Sequence, residues 1–227
     1  MIISVCIPCM GRTHDLRVTM PHIIEAANAS PPVEIMVLDY NSQDGLGEYI
    51  EQVRAGQTLI DANTLSYSRY TGRDYYHMAH AWNLCVKTTF GEYIVIMGTD
   101  TIPDDRYFTA VRMLIADGCV WMHGKTLEGI LVCKRDEFLA AGGYDERFEF
   151  YGPEDKDLEE RLVRRGGKFG LLPDLLRVIP TAKADKTANY RITSRHATKK
   201  LMVPVYNENR RTGALVVNEG RVWGEQL

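Results

Sequence analysis

Apolar residues in the first hundred positions fall into short unbroken runs separated by turn formers. Ile2 to Ile7 is one such run, ended by Pro8, and Glu34 to Leu38 is a second, stopped by Asp39-Tyr40-Asn41-Ser42-Gln43-Asp44-Gly45. Runs of this length bounded by turn signals read as strands buried on both faces. Thr64 to Tyr67 reads as a short third strand and Tyr93 to Met97 as the next, terminated by Gly98-Thr99-Asp100-Thr101-Ile102-Pro103. Between these runs the apolar spacing lengthens to that of helices. Thr13 is placed to cap a helix carrying Leu16, Val18, Met20, Ile23 and Ile24, and a second helix runs from Leu46 to Arg54. A third runs from Met78 to Thr89, with Ala79, Trp82, Cys85 and Val86 on one face and Gly91 after its end.

Strands alternating with helices predict a mostly parallel sheet covered on both faces, with ligands bound beyond the carboxyl ends of the strands. Pro8, Asp39 and Asp100 each fall just past such an end. The second half changes character: Val120 to His123 and Gly129 to Cys133 read as strands of a mixed sheet, and Asp136 to Ala140 as a short helix. Pro153 to Arg165 is a longer helix stopped by Gly166-Gly167, and Phe169 to Leu172 is a further strand. From about Ala182 the pattern dissolves into polar and basic residues, read as a tail or lid.

With 227 residues, 45% of them apolar, the chain suits one α/β domain. A net charge of −3 gives no general attraction for nucleic acid, although the Lys183 to Arg211 stretch is locally basic. The five cysteines are scattered through apolar runs and read as free core thiols; Cys6-x-x-Cys9 lacks the second pair of a zinc site. The first strand begins at Ile2 and no apolar run approaches the ~18 residues of a membrane span, so the expected location is cytoplasmic.

Candidate chemistry gathers at the strand ends and at one helix start. Arg12 offers a fork of donors suited to a diphosphate, against a bland reading as a surface arginine. Asp39 could accept from a base N–H or a ribose hydroxyl, or simply close its turn. Asp100 could hold a divalent cation. The densest segment is Gly142-Gly143-Tyr144-Asp145-Glu146-Arg147-Phe148 running into Tyr151-Gly152-Pro153-Glu154-Asp155. There Pro153 suits a first helical turn, and two adjacent carboxylates point in different directions, one to orient a ligand and the other to take its proton. The competing reading is an acidic first turn that suits the helix dipole.

These segments resemble a glycosyltransferase of the GT-A fold, similar to the inverting family 2 enzymes and to the carboxyl-terminal half of the β-1,4-galactosyltransferase family. The resemblance rests on Val5-Cys6-Ile7-Pro8 with Arg12, Val37 to Gly45, Ala81-Trp82-Asn83, Thr99 to Pro103, and Gly129 through Arg165. It implies a Rossmann-like single domain with a mixed, mostly parallel sheet over residues 1–181, divided into a nucleotide-binding half (1–103) and an acceptor half (104–181). A basic tail or lid occupies 182–227. By position it assigns the donor nucleotide to Pro8, Arg12, Asp39, Asn83 and Asp100, the acceptor or sugar to Glu128, Tyr151 and Glu154, and the general base to Asp155. The implied activity is inverting transfer of a sugar from a nucleoside diphosphate, UDP, to an acceptor hydroxyl.

Two departures thin the metal side of the pattern. The family's Asp-x-Asp is Gly98-Thr99-Asp100 here, and no histidine lies in Val178 to Lys183. A Mn or Mg ion would have Asp100, with His196 farther along; Lys183 and Arg195 are the alternative neutralisers of a diphosphate. Two other readings stay open: a degenerate protein that only binds nucleotide sugar, and a viral-type transferase acting on a hydroxylated nucleic-acid base.

Overall fold

The computed structural model describes residues 1–56, 59–124, 130–180 and 187–225. The first half alternates β1 (Ile3–Cys9), α1 (Thr13–Ala29), β2 (Val33–Tyr40), α2 (Leu46–Gly56), β3 (Thr64–Tyr70), α3 (Met78–Lys87) and β4 (Tyr93–Ile96). It continues with β5 (Thr101–Pro103), α4 (Tyr107–Ala116), β6 (Trp121–Gly124), β7 (Leu131–Lys134) and α5 (Arg135–Ala140). The last elements are α6 (Glu154–Arg164), β8 (Phe169–Leu172), β9 (Leu176–Val178) and α7 (Arg195–Thr212). Seven strands form one sheet in the order β3-β2-β1-β4-β7-β6-β8, and β5 pairs with β9 apart from it. β3, β2, β1 and β4 are parallel, β7 runs antiparallel to its neighbours, and β8 is parallel to β6.

The central strands are mostly apolar because their alternate residues enter different cores, the buried Ser4 of β1 and Glu34 of β2 being hydrogen-bonded to each other. Ile3, Val5, Ile7, Ile35, Val37 and Val95 pack with Leu16, Met20, Ile23, Ile50 and Phe108 on the face covered by α1, α2 and α4. Cys6, Met36, Leu38, Ile94 and Ile96 pack with Trp82, Phe138, Leu158, Met202 and Tyr206 on the other. Cys6 and Cys9 therefore enter opposite cores, and all five cysteines are buried free thiols. Burial pushes the Cys9 thiol up to about 12.

Pro8 does not end its strand; it pairs with Leu38 inside β1. On β4's side Met97 N–H donates to Cys6 O, and Pro8 lies two residues beyond Cys6, the end of the β1–β4 pairing, where a strand tolerates proline. Thr13 is not the cap of α1 either. It is the first helical residue, and Asp44 from the loop after β2 accepts from its N–H (2.8 Å) and its hydroxyl (2.7 Å). Val18 is half exposed rather than on the buried face.

Residues 195–212 form a helix, where the polar pattern suggested an irregular tail. The Ser194 hydroxyl accepts from Ala197 N–H to start α7, and Gly213, at φ +66°, ends it in the left-handed conformation. Met202 and Tyr206 insert into the core between α6 and the sheet.

One buried ion binds these parts together. Arg161 on α6 is 0% exposed. Its Nε donates to Asp157 at 2.9 Å, Nη1 to Ala141 O at 2.8 Å and Nη2 to Gly143 O at 2.8 Å. Asn209 of α7 donates to the other oxygen of Asp157 and to Asp145, which in turn accepts from Arg147. Removing one member of a buried, fully bonded pair leaves the others desolvated without partners, at a cost of about 3–5 kcal/mol. Arg161→Ala is expected to lose that much unfolding free energy in urea titration; a loss under about 1 kcal/mol would show that the network is dispensable.

Candidate active site

Two cavities open at the carboxyl ends of the parallel strands, and Tyr151 lines both. The first, about 170 Å³, is bounded by Pro8, Cys9, Met10 and Arg12 from the end of β1, and by Gly98, Thr99 and Asp100 after β4. Tyr76, Met78, Trp82, Asn189 and Tyr190 close it. Arg12 is held by its own helix, its Nε donating to Asp15 at 2.6 Å, while Nη2 lies 3.9 Å from an Asp100 oxygen. The cover is a crossing of two segments: Asn189 Nδ2 donates to Met10 O, Tyr76 N–H donates to Asn189 O (2.7 Å), and Tyr190 stacks edge-on against Tyr76.

The second cavity, about 630 Å³, is lined by His123 and Gly124 from β6, and by Tyr151, Gly152, Pro153, Asp155, Lys156 and Glu159 around the start of α6. Lys199 and Val203 of α7 complete it. Asp155 is oriented by Tyr144, whose hydroxyl donates to its Oδ1 at 3.1 Å. The Arg195 guanidinium stacks over the Tyr151 ring, 4.3 Å from its centroid, and donates to the Tyr151 oxygen; its Nε is buried with no hydrogen-bond partner.

Of the residues singled out in the sequence, Pro8, Arg12, Asp100 and Tyr151 meet at the first cavity, and Tyr151 and Asp155 at the second. Glu154 contributes to the lining of neither. It is 2% exposed, and its Oε2 accepts from Gly152 N–H at 2.7 Å. Burial, reinforced by the adjacent Asp155 charge, raises its pKa well above the ordinary range. Asp39 is 0% exposed and closes its own turn, accepting from Ser42 N–H (2.6 Å) and the Tyr67 hydroxyl (2.7 Å). Asn83 is likewise fully buried. It donates to Tyr144 O (2.8 Å) and Glu146 (3.0 Å) and accepts from Tyr144 N–H (2.8 Å), so it holds the glycine turn rather than facing a cavity. Glu128 and Lys183 lie outside the described residues. Among the histidines, His80 bonds Tyr40 and Glu225 O in the interior, and buried His77, driven down to about 3 by desolvation, packs flat against it. Tyr76, Asn189, Tyr190, Lys156 and Lys199 carried no periodic or motif signal; the fold alone brings them to the cavities.

Comparison with known proteins bears on the family and the fold. The model of glycosyl transferase family 2 matches residues 4–123, and that of the N-terminal domain of galactosyltransferase matches residues 121–184. The chain belongs to glycosyl transferase family 2. Its fold is that of GT-A glycosyltransferases. A crystal structure of S. aureus TarS residues 1–349 in complex with UDP superposes with a TM-score of 0.67 at 12% identity, covering 93% of this chain and 72% of that one. A mannosyltransferase from Pyrobaculum calidifontis in complex with GDP-Man and Mn2+ gives 0.66 at 16% identity, covering 90% and 68%. No curated protein matches. No helix among the described residues is long and apolar enough to cross a membrane.

A divalent cation fits this family 2 chain poorly at its strand ends. Position 98 is glycine, Asp100 shares its surroundings with the Arg12 guanidinium, and His196 is exposed on α7. Among the described residues no three ligating side chains come together.

Glu154 makes a pH test of the site's interior. A carboxyl whose folded pKa lies above its unfolded value of about 4.3 costs nothing below that pH; the cost grows as pH rises toward the folded pKa. Glu154→Gln keeps an acceptor for Gly152 N–H and removes the charge. Its melting temperature should exceed that of the wild type by a margin that widens from pH 4 to pH 7 in thermal-shift measurements; a constant margin would show that Glu154 ionises freely.

Proposed function

We propose that this chain transfers a sugar from a nucleoside diphosphate sugar, UDP-linked, to an acceptor hydroxyl with inversion, Asp155 acting as general base. The observation that carries the reading is the shared wall. Tyr151 lines both a strand-end cavity that holds Arg12 and Asp100 and one that holds Asp155, an arrangement that suits a donor and an acceptor meeting at a sugar. In a single displacement the acceptor oxygen attacks the anomeric carbon, its proton passes to Asp155, and the bond to the diphosphate breaks with its electron pair leaving on phosphate oxygen. An Asp held by Tyr144 suits this role because the hydroxyl acidifies only as attack proceeds. Tyr151 offers an amphipathic face for the sugar ring.

On the donor side, Arg12, which lines the first cavity, and Arg195, stacked on Tyr151, are the described cations we assign to the departing diphosphate, and Tyr76, Trp82 and Tyr190 provide aromatic walls for a base. Asp39 is committed to Tyr67 and Ser42, so we leave base recognition to those walls. Small-molecule sites usually enclose ~300–1,000 Å³. A first cavity of about 170 Å³ therefore implies that Asn189 and Tyr190 move aside for a whole nucleotide sugar. Support for UDP comes from the S. aureus TarS structures, in complex with UDP and with UDP-GlcNAc. The Gly98 departure favours a second reading, a binder without turnover.

Asp155→Asn should lower transfer or donor hydrolysis by about 10²–10⁴-fold while UDP still raises the melting temperature; undiminished turnover would remove Asp155 from the mechanism, and a wild type that binds UDP without releasing it from UDP-sugars would favour the binder. Because Asp100 stands beside Arg12 with no ligand cluster, the UDP-induced shift should persist in excess chelator and gain little from Mn2+. Its loss on chelation would restore a metal role to Asp100.

A further inference from the structure

The second cavity carries charge that proton transfer does not use. Lys156, in the first turn of α6, and Lys199, on α7, both line it. The two helices thus bring two ammonium groups to the space that holds Asp155. Three carboxylates on the same helices are committed elsewhere, Asp157 to Arg161, Glu160 to Arg164 and Glu208 to Arg147, while Asp155 and Glu159 share the cavity with the lysines. Among the described residues neither lysine reaches a carboxylate at ion-pair distance. Each lies against an aromatic ring instead, Lys156 Nζ 5.5 Å from the Tyr206 centroid and Lys199 Nζ 5.6 Å from that of Tyr151.

We propose that the acceptor carries a phosphate monoester near the hydroxyl that is glycosylated, a sugar phosphate or polyol phosphate, with Lys156 and Lys199 binding the phosphate while Asp155 receives the hydroxyl. This rests on the second cavity being the acceptor side. A neutral acceptor would make no use of the charge that the two ammonium groups bring to the cavity. Phosphate does, because a monoester carries a charge of about −1.5 to −2 near neutral pH and has three acceptor oxygens, and lysine meets phosphate as a point charge without a fixed bidentate geometry. A long polyanion fits less well. The same cavity contains the carboxylates Asp155 and Glu159, which repel a run of phosphates but leave room for one. The phosphate is unchanged by the reaction; the bonds made and broken are those of the displacement described above.

Two separate measurements test this. The first asks whether UDP stabilises the wild-type protein and whether UDP is released from UDP-glucose or UDP-GlcNAc. The second compares, by calorimetry at fixed ionic strength, affinities for glucose 6-phosphate and glycerol 3-phosphate with those for glucose and glycerol, in the wild type, K156Q/K199Q, and K200Q as a single-charge control outside the cavity. The wild type and K200Q should bind the phosphorylated forms at least ~10-fold more tightly than the uncharged ones, with the preference weakening as salt increases, and K156Q/K199Q should reduce the preference below about threefold. Equal affinity for charged and uncharged forms, an undiminished preference in K156Q/K199Q, or tighter binding of a short single-stranded oligonucleotide than of either sugar phosphate would each overturn the assignment. A lysine-dependent preference in a protein that does not bind UDP would sink the transfer reading and leave the phosphate site standing. UDP binding without the preference would do the reverse.

Discussion

A guanidinium with no access to water ties α6, α7 and the turn after α5 together. Taking Arg161 out of solvent is expensive, and the interior offsets that cost by giving it a carboxylate and two carbonyls, Asp157, Ala141 O and Gly143 O. Those acceptors belong to different stretches of chain. The bonds therefore fix α6 against the turn that follows α5, and Asn209 adds α7 through the other oxygen of Asp157. Everything between the turn and α6, including Tyr151, Gly152 and Pro153, is suspended between these anchored ends. The direction of Asp155 follows from where α6 is pinned.

The turn itself leaves no space for side chains. Gly142 and Gly143 adopt φ +78° and +65°, where a Cβ is already strained. A Cβ at Gly142 would meet Val217 O at 2.1 Å and one at Gly143 would meet Asn83 Oδ1 at 2.4 Å. The displaced partners are themselves structural, since Asn218 donates to Gly142 O and Asn83 brackets Tyr144. The glycines, Asp145 and Arg147 thus serve to join α3, α6 and the C-terminal segment. Their concentration in the sequence marks a site because the site is hung from them; the side chains that reach a cavity come later, at Tyr151 and Asp155.

Elements whose reason for existing is local were legible from the residues. β1, β2 and β4 are mostly apolar runs because both sheet faces are buried, and α6 shows its proline, acidic first turn and glycine stop. Elements that exist because something distant covers them were not. α7 has basic residues, an internal Pro204 and few apolar positions; only Met202 and Tyr206, inserted beside α6, explain it. The same division separates the candidate residues. Asp155 and Asp100, which line the cavities, stand after a turn or a strand, whereas Asp39 looks identical on that criterion and is bonded by Tyr67, a partner 28 residues away on β3. Lys156 and Lys199 look like ordinary solvated lysines until two helices are brought together.

Tyr151 shows why α7 belongs with the candidate site. A ring proposed to stand between two reactants must stay within a fraction of an ångström of its place, because misplacement of about 1 Å can cost roughly 10²-fold in rate. The three residues before α6 have no regular secondary structure to provide that rigidity. It comes from α7, whose Arg195 stacks on the ring and donates to its oxygen and whose Lys199 Nζ lies 5.6 Å from its centroid. Met202, on the same helix, packs against Gly152, where a Cβ would come within 2.5 Å of its own. Removing α7 would take the apolar cover from α6 and leave Tyr151 unsupported in one step, so the wall shared by the cavities and the closure of the core are two consequences of the same packing.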